Sequence, residues 1–418
     1  MNNPMRQQIL SHLDNPRQLE QLYRADKPAF TRTFNTLYSE IKDSTLATYW
    51  NERLNFTTGE RPAGNRNELI FIGIASLLAG LIAKLPALFG IDETFFYSRN
   101  VGFVVFPLLT AYFAWQHKLP SGRIAVLAGA TLLGLVFINF LPNNEKSDTL
   151  VLSCIHLPLW LWAILGAAFT GNDNRSNGKR IGFLTYNGDL LVMTGLLLIA
   201  GIALSGITLG LFSLIGLAIE TLYFRNIGMV GLAAAPIVGT YLVRSNPQLV
   251  GKIAPVIARI FCPLVLVMLV TYLAATLYAG KDPYRDREFL LVFNILLIGV
   301  MALIFFAIAG TSTAAKSRAE LWLLLLLSAL TIAVNGIALS AVLFRISTWG
   351  ITPNRVAVLG GNVLILINLL LVTIQLFRVL KGTSSISGVE NIVAVYLPVY
   401  ALWAAVVTFL FPLLFGFQ

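Results

Sequence analysis

The stretch Phe344–Gln375, FRISTWGITPNRVAVLGGNVLILINLLLVTIQ, decides how the rest of the chain is read. A polar loop carrying Arg345 and Arg355 gives way to a long apolar run, and from about residue 67 onward oily segments alternate with short basic turns in the same manner. Soluble domains are roughly 45–50% apolar and about 25% charged. Here the apolar share is 56%, the charged share 12% and the mean hydropathy +0.75. So little polar surface cannot face water all round, and a lipid bilayer is the expected surrounding partner. The net charge of +10 resides largely in the turns, where lysine and arginine set membrane orientation, so nucleic acid is not an expected partner.

Each apolar run of about 20 residues is long enough to cross a hydrocarbon core of about 30 Å. Spans are expected near 68–90, 99–117, 121–141, 148–170, 189–216, 227–244, 252–279, 287–310, 319–343, 355–380 and 390–416. The predicted fold is therefore an all-α polytopic transmembrane bundle of about eleven spans, residues 67–418, preceded by a small cytoplasmic helical segment, residues 1–66. The region 189–224 would measure about 54 Å as one straight helix and is expected to break at Gly206–Gly210 or at Leu214–Gly216. Two short spans there would make twelve. Counting lysines and arginines on either side puts the N-terminus in the cytoplasm for both counts, and the expected location is the bacterial inner membrane.

No apolar core follows the initial Met, so no cleaved signal peptide is expected. Asn15-Pro16 reads as a helix cap followed by a first-turn proline, with Leu19, Leu22 and Tyr23 at helical spacing after it. A second helix aligns Phe30, Phe34, Leu37 and Tyr38; a third aligns Leu46, Trp50 and Leu54. Residues 57–67 read as a linker. This separate segment is a candidate docking site for a protein partner.

Charge inside a span is costly and points to function unless a simpler role accounts for it. Glu68, Glu288, Glu320 and Glu390 sit in first turns and read as caps, with Ser317 and Ser387 completing S-x-x-E capping boxes for the last two. Lys84 and Arg259 read as snorkelling cations. Asn139, Asn294, Asn335, Asn362, Asn368 and Gln375 read as interhelical hydrogen-bonding groups, and His156, before Pro158, as a hydrogen-bonded packing residue with proton relay as the alternative. Asp189 and Glu220 flank the expected break and are candidate substrate-binding carboxylates. Arg345, Asn354 and Arg355 are candidates too, because two guanidiniums beside a capped helix start, Thr352-Pro353, can hold a phosphate or carboxylate.

The arginine followed by Trp349-Gly350-Ile351-Thr352-Pro353-Asn354-Arg355 at the opening of a late span resembles a bacterial family of polytopic membrane proteins catalogued as domain of unknown function 4153. The block from Tyr186 to Tyr241, with Glu220 and the run Ala234-Ala235-Pro236-Ile237, is similar to that family's centre. The resemblance covers about residues 67–418. It departs at Ile219, where the family often carries a second acid, and it implies no reaction.

Three function classes follow. A permease-like protein handling a lipid or small anion would use a polar cavity formed by 189–225 and the loop 345–355. A scaffold or sensor would recruit a partner through its N-terminal helices. A membrane-embedded enzyme is the least supported, since G-x-S-x-G, HExxH and clustered aspartates are missing. Cys154, Cys262, His12, His117 and His156 have no metal-ligand spacing, and no cofactor or metal is expected.

Overall fold

The computed structural model describes residues 4–55, 66–144, 146–173, 175–214, 217–246, 253–278, 284, 287–309 and 317–417. The chain divides into two compact units, Met1–Glu60 and Arg61–Gln418. Most of the expected linker, residues 215 and 216 of the second expected break, and the side chains of Arg259 and Glu288 lie outside the described residues.

The first unit contains four helices: α1 (Pro4–Ser11), α2 (Pro16–Ala25), α3 (Lys27–Ile41) and α4 (Thr45–Asn55). Asn15 caps α2 by accepting from the Gln18 N–H at 3.2 Å, with Pro16 at the first helical position. Asp26 does the same for α3 through Ala29, at 3.0 Å. Leu19, Phe30, Phe34, Leu37 and Trp50 form the buried core that their spacing foretold. Helix α1 was not foretold, because its eight residues carry one fully buried side chain, Ile9, and no readable period.

The second unit is also helical. It runs α5 (Arg66–Ala83), α6 (Leu85–Phe89), α7 (Glu93–Asn100), α8 (Phe106–Gln116), α9 (Ser121–Phe140), α10 (Asp148–Phe169) and α11 (Asn177–Leu214). It continues with α12 (Glu220–Tyr223), α13 (Met229–Ser245), α14 (Ile253–Tyr278), α15 (Arg287–Ala309), α16 (Arg318–Trp349), α17 (Pro353–Leu380), α18 (Ile386–Ala405) and α19 (Phe411–Leu414). Single π-helical turns join α12 to α13 and α18 to α19. Among the described residues, eight helices are long and apolar enough to cross a membrane, and shorter apolar helices lie at Ile260–Thr271 and Phe293–Ala309. Many of their large apolar side chains point outward, among them Leu77, Val126, Leu191, Ile202 and Leu402. Such a surface suits lipid.

Two of the expected spans are interrupted. Residues 68–90 break at Lys84, just before Leu85-Pro86, and 99–117 becomes α7, a 3₁₀ turn (Val101–Val104) and the 11-residue α8. Pro107 at the start of α8 explains the second break, since it cannot donate to the preceding turn.

The region around Asp189 corrects a further expectation. Helix α11 starts at Asn177, twelve residues early, and runs unbroken through Gly206–Gly210 to Leu214. Each glycine costs a helix about 1 kcal/mol, which is too little to open a turn where freed backbone groups would meet only apolar side chains. Helix resumes at Glu220, so the interruption falls later than the first of the two expected points.

The start of α11 is where two cores meet. Phe183 and Tyr186 belong to a core shared with α5, α8, α10 and α13. Ile181 and Leu184 belong to a second, built with α14 to α18. Helices α5 and α13 approach closely, and a Cβ on Gly80 would lie 2.8 Å from Val230. Small residues permit such contact where no hydrophobic force separates helix from lipid.

The asparagines bond between helices as expected, whereas Gln375 bonds Ser384 in the turn after its own helix. Asn335 donates to the Asn362 carbonyl at 3.1 Å, Asn362 to Asn294 at 2.8 Å, Asn368 to Tyr400 at 3.0 Å and Gln375 to Ser384 at 2.5 Å. His156 Nδ1 sits 2.9 Å from the Leu152 carbonyl.

Candidate functional site

The Ser317–Glu320 capping box forms, with both bonds at 3.2 Å. The expected box at Ser387–Glu390 does not. Helix α18 starts at Ile386, so Ser387 is already helical and its hydroxyl pairs with that of Ser385 at 2.7 Å. Glu68, in the first turn of α5, is buried and accepts a short hydrogen bond from the Tyr112 hydroxyl on α8. Lys84 Nζ donates to Asn226 Oδ1 at 2.5 Å and ties the α5–α6 break to the π-helical turn.

The loop after α16 is built from the elements its sequence names. Gly350 takes φ +82°, the left-handed region that favours glycine, and releases the chain from the helix. Thr352 then caps α17 by accepting from the Arg355 N–H at 3.4 Å, and Pro353 fills the first position. The arginines, however, are not arranged around an anion. Arg355 Nη1 donates to the carbonyls of Trp349 at 2.9 Å and Gly350 at 2.6 Å. Arg345 Nε donates to the Tyr284 carbonyl at 3.0 Å. Both guanidiniums lie 5.8 Å from the Trp349 ring centre. Cations placed there satisfy the negative end of α16, the helix C-terminus. Asn354 is half-buried in the first turn of α17.

Asp189 lies elsewhere, 7% exposed, with no donor within hydrogen-bond reach of Oδ1. Its neighbours in sequence touch three other helices: Tyr186 bonds Thr240, Asn187 accepts from Trp162, and Gly188 abuts Phe306. Glu220 is exposed at the start of α12. None of the described contacts joins Asp189 or Glu220 to the arginine loop.

A different site emerges around the broken segment α7–α8. Arg99 is 3% exposed. Its Nη1 donates to the carbonyls of Ile138 at 2.5 Å and Leu141 at 3.0 Å; its Nη2 reaches the Pro142 carbonyl at 3.4 Å and Asn143 Oδ1 at 3.3 Å. The guanidinium also stacks 4.5 Å from the Phe95 ring centre. It thus closes the C-terminus of α9 much as Arg355 closes that of α16. Beside it, Asn100 and Asn139 exchange two amide hydrogen bonds, at 2.9 and 2.8 Å. Nothing in the spacing of Arg99 announces this; the one cue is a cation and two amides at the ends of neighbouring apolar runs.

Above this lock lies a cleft of about 510 Å³ between α5–α6, α7–α8 and α9. Its polar lining residues are Asn100, Thr110 and Thr131; the rest is apolar, including Phe103, Ala111, Ile124 and Ala128. A smaller cleft of about 200 Å³ opens between α10, α11 and α18 beside Trp162, Arg180 and Leu397. Among the described residues no group of three His, Cys, Asp or Glu side chains is placed to hold a metal ion. The larger cleft offers shape and hydrocarbon contact. Comparison with known proteins finds no matching family model, no matching curated protein and no matching solved structure.

Proposed function

We propose that this chain is a permease-like integral protein of the bacterial inner membrane, with about eleven spans and a cytoplasmic N-terminus, that handles a lipid or a small anion. The resemblance of residues 67–418 to the polytopic family of unknown function belongs to this proposal. The observation that carries it is the interrupted segment Glu93–Gln116 beside a cleft of about 510 Å³. Irregular backbone within a bilayer persists only where protein or a cavity surrounds it, and broken helices of this kind commonly line binding sites. Arg99 supplies the seal by occupying carbonyls that would otherwise face hydrocarbon. The test is a thermal-shift screen of the purified full chain against lipids and small anions, followed by flux of any stabilising compound in proteoliposomes. A ligand that raises Tm and crosses the membrane is expected. A screen with no stabilising compound overturns the reading.

The scaffold reading keeps one observation in its favour. The N-terminal unit has its own core and a groove of about 450 Å³ bearing Arg17, Arg24, Arg53 and the exposed Tyr49. Deleting residues 1–66 should then remove a co-purifying protein while leaving membrane insertion intact. A partner retained by the truncated chain counts against it.

A further inference from the structure

We infer that the cleft between α5–α6, α7–α8 and α9 is a site for a single hydrocarbon chain, the acyl chain of a lipid or fatty acid. The inference rests on the permease-like reading and names its substrate class. Three observations lead to it. The first is size: about 510 Å³ falls within the range of small-molecule pockets, roughly 300–1,000 Å³, and suits one extended chain better than a whole two-chain lipid.

The second is chemistry. Two of the three polar groups on the wall are already engaged with the protein, and the third is buried. Asn100 spends its amide on Asn139 and receives one in return, and Thr131 donates to the Leu127 carbonyl at 2.9 Å. Thr110 is 8% exposed. A charged or strongly polar ligand entering here would lose its water and gain little in exchange, whereas a methylene chain loses nothing. Three cations are one residue from the wall in sequence, and none of them lines it: Arg99 is buried and holds the end of α9, Lys84 donates to Asn226, and Arg123 reaches Asn172 at 3.4 Å. The small-anion alternative therefore has no receptor at this cleft.

The third is access. On α9 the wall residues Ile124, Leu132 and Leu135 are 44, 58 and 37% exposed, and Ala111 and Ala128 are exposed as well. Small alanines on two facing walls leave room that larger apolar residues would fill. The open side is flanked by the outward apolar face of α9, so a chain can enter from the bilayer without crossing water.

The test uses the full chain in nanodiscs, titrated with palmitate and with a palmitoyl lysophospholipid, with binding read by native mass spectrometry. Wild type should bind one chain. The double variant Ala111→Phe with Ala128→Phe places rings in open space rather than in packed core, and should weaken binding about tenfold, the loss of roughly two buried methylenes. Val126→Phe, an apolar enlargement of an outward α9 position that does not line the cleft, should bind as wild type. Binding of the lysophospholipid alone assigns the chain to a phospholipid; binding of palmitate assigns it to a free acid. Equal affinity in the double variant and wild type overturns the inference. Chain binding without flux would leave this site standing and remove the permease reading, while flux of inorganic phosphate with no chain bound would do the reverse.

Discussion

The two units hold their charges in different ways. In the N-terminal unit, guanidiniums meet carboxylates: Arg6 with Glu40 at 2.6 Å, and both Arg24 and Arg53 with Glu20 at 2.8 and 2.7 Å. In the second unit, Arg99, Arg345 and Arg355 reach for backbone carbonyls, those of Arg99 and Arg355 at the ends of helices. Solvent explains the difference. In water a helix end is hydrated and a surface ion pair contributes little. Where water is scarce the last carbonyls of a helix have no partner, and a forked cation that reaches several at once is worth more than a second buried charge. Arginine is suited to this because its planar fork serves several acceptors.

The largest expected effect is at Arg99. Arg99→Leu should destabilise the second unit by about 3 kcal/mol, since it strands buried carbonyls and removes a cation from a helix C-terminus. Thermal unfolding in detergent measures it, and Arg99→Lys should recover part of the loss. An unchanged Tm would erase the distinction between the units. Next comes Tyr112→Phe, which takes a hydroxyl donor from the buried Glu68 carboxylate and should cost about 2 kcal/mol in the same assay. Arg355→Ala should cost about 0.5–1 kcal/mol, because its carbonyls lie at an exposed helix end, and the variant should insert normally. A loss as large as that of Arg99→Leu would mean that the loop is as dry as the α9 terminus.

The smallest effect is in the N-terminal unit and depends on pH. Hydrogen bonds from Arg24 and then Arg53 hold the Glu20 carboxyl below the usual carboxylate range. A depressed folded value means that the stabilisation is fully present above the unfolded value and is lost as pH falls through the folded one. Acid titration of the N-terminal helices by circular dichroism should show this weakening, and Glu20→Gln should flatten it. A steeper acid response in the variant would count against the pairing.

Much of the architecture was legible before any coordinates. The apolar runs announced long membrane-type helices, Asn15-Pro16 and Thr352-Pro353 announced their caps, and Phe30, Phe34 and Trp50 announced a small separate core. These are local signals: a cap, a turn or a period acts within a few residues and reads the same in any fold. The candidate site was less legible. Asp189 is buried away from the loop, Arg355 turns to its own loop, and Glu220 is exposed. Glu68 looked like a cap because a first-turn carboxylate usually is one, and Tyr112, 44 residues away, has no period linking it to α5.

What the sequence determined by itself is the material: helices, their outward apolar faces, and the positions where a helix must begin or stop. Only the tertiary structure decided which carbonyls Arg99 would close, that the root of α11 would join two cores, and that a hydrocarbon-lined cleft would open beside α9. Those outcomes depend on which distant segments lie side by side, and a side chain's reach of a few ångströms carries no record of that in the spacing of residues along the chain.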